Sequence, residues 1–175
     1  MVEEIRKLEQ TARLLEPDAA QREQLLSHVS AYAEEYLQAI PQTPAHILRS
    51  DAGRGLFDSP IMEQGIEMDE ALTLLHENVN AVGINPTSGR FLGYIPGGAL
   101  YFSALGDYLA AITNRYAGIY FAAPGAVRME NLLLRWMSQV VGYPDTSAGN
   151  LASGGSIANL TAIVTALDAH GICCL

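Results

Sequence analysis

Apolar positions in the N-terminal part of the chain recur at the spacing of amphipathic helices. The charged segment from Val2 to Glu16 predicts a first helix. Pro17 closes it and is expected to be the first residue of a second helix, because its missing N–H costs nothing there. The second helix ends before Pro41 and carries an i, i+4, i+7, i+8 apolar stripe. The stripe consists of Leu25, Val29, Tyr32, Ala33, Tyr36, Leu37 and Ile40. Both helices therefore need a partner surface.

Residues 41–82 contain a segment without helical periodicity, followed by a helical segment. Residues 41–65 are rich in proline and glycine and poor in apolar positions, which predicts an extended linker. Residues 68–82 return to a helical pattern, with an apolar edge of Leu72, Leu75 and Val79. His76 lies on that edge, and we interpret it as a core or interfacial imidazole, because no histidine, cysteine or carboxylate follows at i+4.

The second half begins with a long loop, residues 83–98, in which aromatic residues alternate with glycine and proline. Such loops are often functional, and this one could form a stiff wall for a small ligand. The alternative is a surface turn with Phe91 and Tyr94 in the core. Two helices are predicted to follow, over residues 99–115 and from Pro124 to Gly142, the second with a broad apolar face.

A loop of small residues, Gly149–Leu160, then runs into a helical segment that ends near His170. Small residues allow close approach to the backbone, and a helix N-terminus offers unpaired N–H groups, so the segment suits an anion such as phosphate. The alternative is that Ser153 or Ser156 only caps the helix. The spacing fits neither a Walker loop nor a dinucleotide fingerprint.

Composition limits the classes of function. The chain has 175 residues, 49% hydrophobic, with a net charge of −9 and a pI near 4.8. Its ten basic residues are scattered, which argues against a nucleic-acid partner. Apolar runs are too short to span a membrane and the start is acidic, so we expect a cytoplasmic protein. The adjacent Cys173 and Cys174 provide no disulfide framework or spaced metal site and are interpreted as part of a buried segment.

Several motifs in order carry a resemblance to a known family. They are Arg90–Pro96, Ala122–Pro124 with Met129-Glu130 and Trp136-Met137, Gly142–Pro144, and Ser153–Leu160. Over roughly residues 20 to 172 the chain resembles the pyridoxal-phosphate-dependent group II amino-acid decarboxylases, which include the aromatic-L-amino-acid and glutamate decarboxylases.

The resemblance implies an α/β fold of the fold-type I, aminotransferase-like class. Residues 1–82 would be an N-terminal helical dimerisation segment, and residues 83–175 the incomplete start of the large domain that binds pyridoxal 5'-phosphate. It also implies a homodimer whose N-terminal helices wrap around the partner subunit, and an L-amino-acid substrate.

The resemblance also implies roles for single residues. Gly155 and Ser156 match the family's pair that binds the cofactor phosphate. Tyr94, Ile95 and Pro96 match the segment that lines the substrate side chain. The family often has an aromatic residue in place of Ile95 and a hydroxyl residue in place of Gly97, so the resemblance does not define the substrate preference. Gly97-Gly98 would leave a roomier wall.

The chain departs from the family's pattern in its lysine content. The family's chemistry needs a lysine that holds the cofactor as a Schiff base, an aspartate at the pyridine nitrogen and a histidine stacked on the ring, all well after the phosphate loop. This chain has a single lysine, Lys7, and ends where an α/β pattern would begin its next strand. We expect the N-terminal portion of a decarboxylase, inactive alone. The open alternatives are a non-catalytic phosphate-binding module and a helical dimerisation or scaffold protein.

Overall fold

The computed structural model describes residues 1–63 and 65–172. The chain divides into two compact units, with the division between Leu100 and Tyr101. The predicted functional division after residue 82, into a dimerisation segment and a large domain, stays a prediction.

Two helices open the first unit. Helix α1 spans Val2–Ala12 and continues as a 3-10 turn, and helix α2 spans Ala19–Ala39. The prediction that Pro17 begins the second helix is wrong by two residues. Asp18 is the N-cap: its carboxylate accepts from the Gln21 amide at 2.9 Å, while the Gln21 side chain accepts from the Asp18 amide at 2.8 Å. This capping box fixes the helix start after the proline.

The predicted linker has more structure than expected. It contains strand β1, His46–Ile47, and the short helix α3, Arg54–Asp58. Strand β2, Gly83–Ile84, pairs antiparallel with β1, with His46 opposite Ile84. The sequence pattern did not predict this sheet, because strands of two residues are too short to show an alternation of apolar and polar positions.

Helix α4 spans Met68–Leu75 and continues as a π-helical turn over His76–Asn80, in agreement with the predicted helix. It packs against α2 through polar contacts. The Tyr32 hydroxyl accepts from Asn80 Nδ2 at 2.6 Å, and the Tyr32 and His76 rings meet edge to face at 6.1 Å. His28 Nδ1 lies 2.5 Å from Asp69 Oδ1. Tyr32 is thus a packing residue of this unit, as the sequence suggested, whereas His76 contacts Tyr32 but is exposed, so the core alternative is wrong for His76.

Three helices joined by loops make up the described part of the second unit. Helix α5 spans Tyr101–Thr113, α6 spans Pro124–Val140, and α7 spans Gly155–Ala169. All three were predicted, with ends within a few residues. The strand expected after His170, including Cys173 and Cys174, lies outside the described residues.

Few side chains are fully covered. Ala123, 2% exposed, is the only buried apolar residue in the described part of the chain. The described residues are mostly helical with one two-stranded sheet, as expected for the predicted helical portion. Within residues 1–63 and 65–172, no helix has both the length and the apolar character needed to cross a bilayer.

Candidate functional site

The start of helix α7 presents free backbone donors. The first i→i−4 hydrogen bond runs from the Ala158 amide to the Gly154 carbonyl at 3.0 Å. The amides of Gly155, Ser156 and Ile157 precede that bond and have no acceptor within the described residues. Together with the positive end of the helix dipole, these donors can hold an anion.

Serine capping does not explain this segment. Gly154 is the N-cap of α7, and no side chain caps the helix. Ser156 is the second residue of the helix and is exposed, so its hydroxyl is available to a ligand. The capping alternative is therefore wrong for both Ser153 and Ser156. We call residues Ser153–Ser156 the glycine turn.

Gly155 keeps the approach to the amides open. A Cβ built on this residue would have no atom within 4 Å. Gly155 lies inside the helix and is not among the residues with positive φ, so the backbone itself does not require glycine. What glycine provides is space beside the free amides for a bound group.

Helix α6 supports the loop that leads to the glycine turn. After a hydrogen bond that closes the C-terminus of this helix, the loop returns along two of its successive turns. The Tyr143 amide donates to the Ser138 carbonyl at 2.8 Å. Leu134 Cδ2 lies 3.5 Å from where a Cβ on Gly149 would stand. The Leu151 amide donates to Glu130 Oε1 at 3.4 Å. Residues 130, 134 and 138 are spaced by four and lie on one face of α6.

A cavity of about 290 Å³ with a mixed polar and apolar lining lies between the same helix and the loop. Its walls include Asn131, Arg135 and Gln139 of α6 and Asp145 and Ser147 of the loop. The loop thus contacts α6 along one edge and leaves a small open space beside it.

The predicted substrate-side segment lies at the tip of a loop with a fixed base. Ser88, 3% exposed, donates from its hydroxyl to the Thr43 carbonyl at 2.7 Å, and the Asn85 amide donates to the Ala45 carbonyl at 2.9 Å. The Thr87 hydroxyl donates to Asn85 Oδ1 at 2.6 Å. The base of the loop is thereby tied to the chain before β1.

The tip itself is exposed and conformationally unusual. Tyr94 is 88% exposed and Ile95 98% exposed. Both have positive φ, 58° and 54°, and the Ile95 amide donates to the Gly93 carbonyl at 2.8 Å. Positive φ is strained for a β-branched residue, and such strain concentrates at functional sites. The alternative that Tyr94 is tucked into the core is wrong, while Phe91 is half-buried as that alternative expected.

The predicted site residues thus fall into two groups. Tyr94, Ile95 and Pro96 lie in the first unit, and Gly155 and Ser156 lie in the second. Sequence reasoning did not single out Glu130 or Ser88 as contributors. The turn-forming run from Asn85 to Ser88 was a usable signal for the second, because asparagine and serine side chains stabilise tight turns.

Comparison with known proteins identifies the family. The model of the pyridoxal-dependent decarboxylase conserved domain matches residues 58–169, more than half of the chain. The chain belongs to the pyridoxal-dependent decarboxylase family.

Two similar proteins show how much of a longer protein this chain matches. An aromatic-L-amino-acid decarboxylase from Bacillus atrophaeus is 33% identical over 120 residues, which is 69% of this chain and 25% of that protein. The crystal structure of Rhodiola rosea 4-hydroxyphenylacetaldehyde synthase matches with a TM-score of 0.65 at 19% identity, over 73% of this chain and 27% of that one. The chain spans about a quarter of the length of either relative, and the second comparison shows a shared fold.

The cofactor of this decarboxylase family is pyridoxal 5'-phosphate. The glycine turn fits its phosphate group: it combines free amides, an exposed hydroxyl at Ser156 and no side chain at Gly155. When bound, the cofactor would supply an electron-withdrawing pyridine ring.

Proposed function

We propose that this chain forms the N-terminal portion of an L-amino-acid decarboxylase that uses pyridoxal 5'-phosphate. In this proposal the glycine turn holds the cofactor phosphate, and Tyr94, Ile95 and Pro96 contribute to the wall around the substrate side chain. A cytoplasmic location, expected from the sequence, is part of the same proposal.

The start of α7 is the observation that carries the proposal. Backbone donors at Gly155 and Ser156 have no acceptor within the described residues, and the hydroxyl of Ser156 is exposed beside them. A dianionic phosphate accepts several hydrogen bonds at once, so amides and hydroxyl can act together. Family membership supplies the identity of the group that carries the phosphate.

The substrate role rests on the strained tip of the anchored loop. A rigid base and an exposed tip place Tyr94 and Ile95 where a ligand can reach them. Gly97 and Gly98 have nothing within 4 Å of an added Cβ, so the wall next to the tip is open. An open wall of this kind supports a substrate side chain larger than that of small amino acids.

Lysine content supports inactivity of the chain alone. Lys7, the single lysine, is exposed on helix α1 and lies far from the glycine turn in sequence. The 175-residue chain therefore lacks an evident residue for the covalent step of the family's chemistry.

Binding of pyridoxine 5'-phosphate tests the phosphate role directly. This compound has an alcohol in place of the aldehyde, so it reports the phosphate contacts without any reaction at Lys7. We expect it to bind, and unphosphorylated pyridoxine to bind far more weakly. Equal affinity for the two compounds would contradict the proposal, since the phosphate would then contribute nothing.

Exposed apolar side chains on α2 and α6 support a second proposed role for this chain, in the formation of a homodimer. Leu25 and Val29 of α2 are exposed, as are Leu132, Trp136 and Val140 of α6. Tyr32 and Tyr36 are partly covered by contacts within their own unit, so the exposed apolar face of α2 is narrower than the sequence suggested. Apolar surface of this extent is uncommon on monomers. We expect a homodimer, and sedimentation that shows only a soluble monomer would refute it.

A further inference from the structure

One acidic side chain of α6 contacts the chain shortly before the glycine turn. Glu130 Oε1 accepts from the Leu151 amide at 3.4 Å. Leu151 stands three residues before Gly154, the N-cap of α7. No other side chain in the described part of the chain bonds to the backbone between Leu151 and Gly154.

We propose that Glu130 is a positioning residue: it holds the chain at Leu151 and so sets the direction in which the amides of Gly155 and Ser156 point. The inference rests on the proposed function, because those amides are the proposed phosphate donors. Glu130 itself is not proposed to touch the cofactor.

The arrangement explains why a long hydrogen bond can matter. Leu134 already lies beside the loop at Gly149, after the hydrogen bond from Tyr143 to the Ser138 carbonyl has closed the end of α6. Glu130 adds the last support on the same face, immediately before the chain turns into α7. Without Glu130, no side chain in the described part of the protein would hydrogen-bond to the backbone between Leu151 and Gly154 and so fix its direction. Errors in direction there would be carried into the free amides, which must converge on one phosphate group.

Three variants separate this role from a general effect on the helix. Glu130→Met keeps the length and helix propensity of the side chain but removes the acceptor. Glu130→Gln keeps an acceptor oxygen and should restore the wild-type behaviour. Met129→Ala changes the neighbouring exposed residue of α6 and serves as the control.

Two readouts are needed. Amide hydrogen exchange by NMR, without ligand, reports the Leu151 amide, and titration with pyridoxine 5'-phosphate reports the phosphate site. We expect Glu130→Met to speed exchange at Leu151 and weaken binding roughly three- to tenfold, the loss of one hydrogen bond. Glu130→Gln and Met129→Ala should match the unaltered protein in both.

Unchanged exchange at Leu151 in Glu130→Met overturns the inference, whether or not the ligand binds. Faster exchange with unchanged ligand affinity also overturns it, because the hydrogen bond would then have no effect on the phosphate donors. Equal impairment in Glu130→Gln would show that charge, and not the contact with Leu151, is what counts. If the unaltered protein binds no pyridoxine 5'-phosphate, the proposed function fails, and exchange at Leu151 still decides whether Glu130 holds the loop.

Discussion

Replacement of Ser156 by alanine separates ligand binding from helix capping. In the proposed site the hydroxyl donates to a charged phosphate oxygen. Loss of such a bond costs about 1.5–3 kcal/mol, which weakens binding roughly ten- to a hundredfold. The backbone donors of Gly155, Ser156 and Ile157 remain, so binding should be reduced and not abolished.

Stability should respond in the opposite way to that expected for a capping serine. Loss of a capping serine would cost about 1 kcal/mol of folding free energy. Here Gly154 occupies the N-cap and no side chain caps α7, so no such bond is lost. Alanine also has a higher helix propensity than serine, and the ligand-free thermal midpoint of Ser156→Ala should stay the same or rise slightly.

The assay compares the dissociation constant for pyridoxine 5'-phosphate with the thermal midpoint measured without ligand. Thr165→Ala is a suitable control, because it removes a hydroxyl from the same helix. That hydroxyl donates to the Thr161 carbonyl at 2.8 Å and lies about 13 Å along the helix from Ser156. The control should leave the dissociation constant unchanged.

An unchanged dissociation constant in Ser156→Ala would refute the reasoning, because it would mean that the hydroxyl does not contact the phosphate. A lower midpoint with unchanged affinity would restore the capping role that the geometry of α7 contradicts.

The remaining predictions concern other parts of the chain. Gly155→Val should abolish binding of pyridoxine 5'-phosphate with little change in thermal midpoint, because the added side chain meets open space in the free protein and the phosphate in the complex; a large loss of stability would contradict it. Borohydride reduction with pyridoxal phosphate, followed by peptide mapping, should give no stoichiometric labelling of Lys7. An assay of the 175-residue chain should likewise detect no decarboxylase activity. Tyr32→Phe should lower the free energy of unfolding by about 1 kcal/mol, because Asn80 loses its acceptor; Tyr108→Phe, at an exposed tyrosine of α5, is the control in denaturant titration.

The helices could be predicted because their signals are local. The apolar spacing of α6 and the proline and glycine at its ends are properties of a short window of sequence, and the observed helix starts at Pro124 as expected. The small residues before α7 were enough to propose an anion site, since the helix N-terminus provides the donors by itself.

Contacts between distant segments could not be predicted in the same way. Ser88 reaches the Thr43 carbonyl, 45 residues earlier in the chain. Glu130 reaches Leu151, 21 residues later. Neither pairing leaves a trace in hydrophobic periodicity, which reports only which side of an element is covered. The start of α2 was misplaced for a different reason: the rule for proline at the first helical turn was applied, and the Asp18–Gln21 capping box, which was visible in the sequence, was not weighed.

The contacts of the loop with α6 constrain its length more than its composition. Gly149 and Leu151 meet successive turns of one helix face, so the number of residues between the end of α6 and these points must match the rise of the helix. A substitution within residues 144–150 leaves that match intact. A deletion or insertion of one residue there should displace the contact between Leu151 and Glu130, and with it the chain before Gly154. Among related sequences, this loop should therefore vary in its residues while keeping a constant number of them.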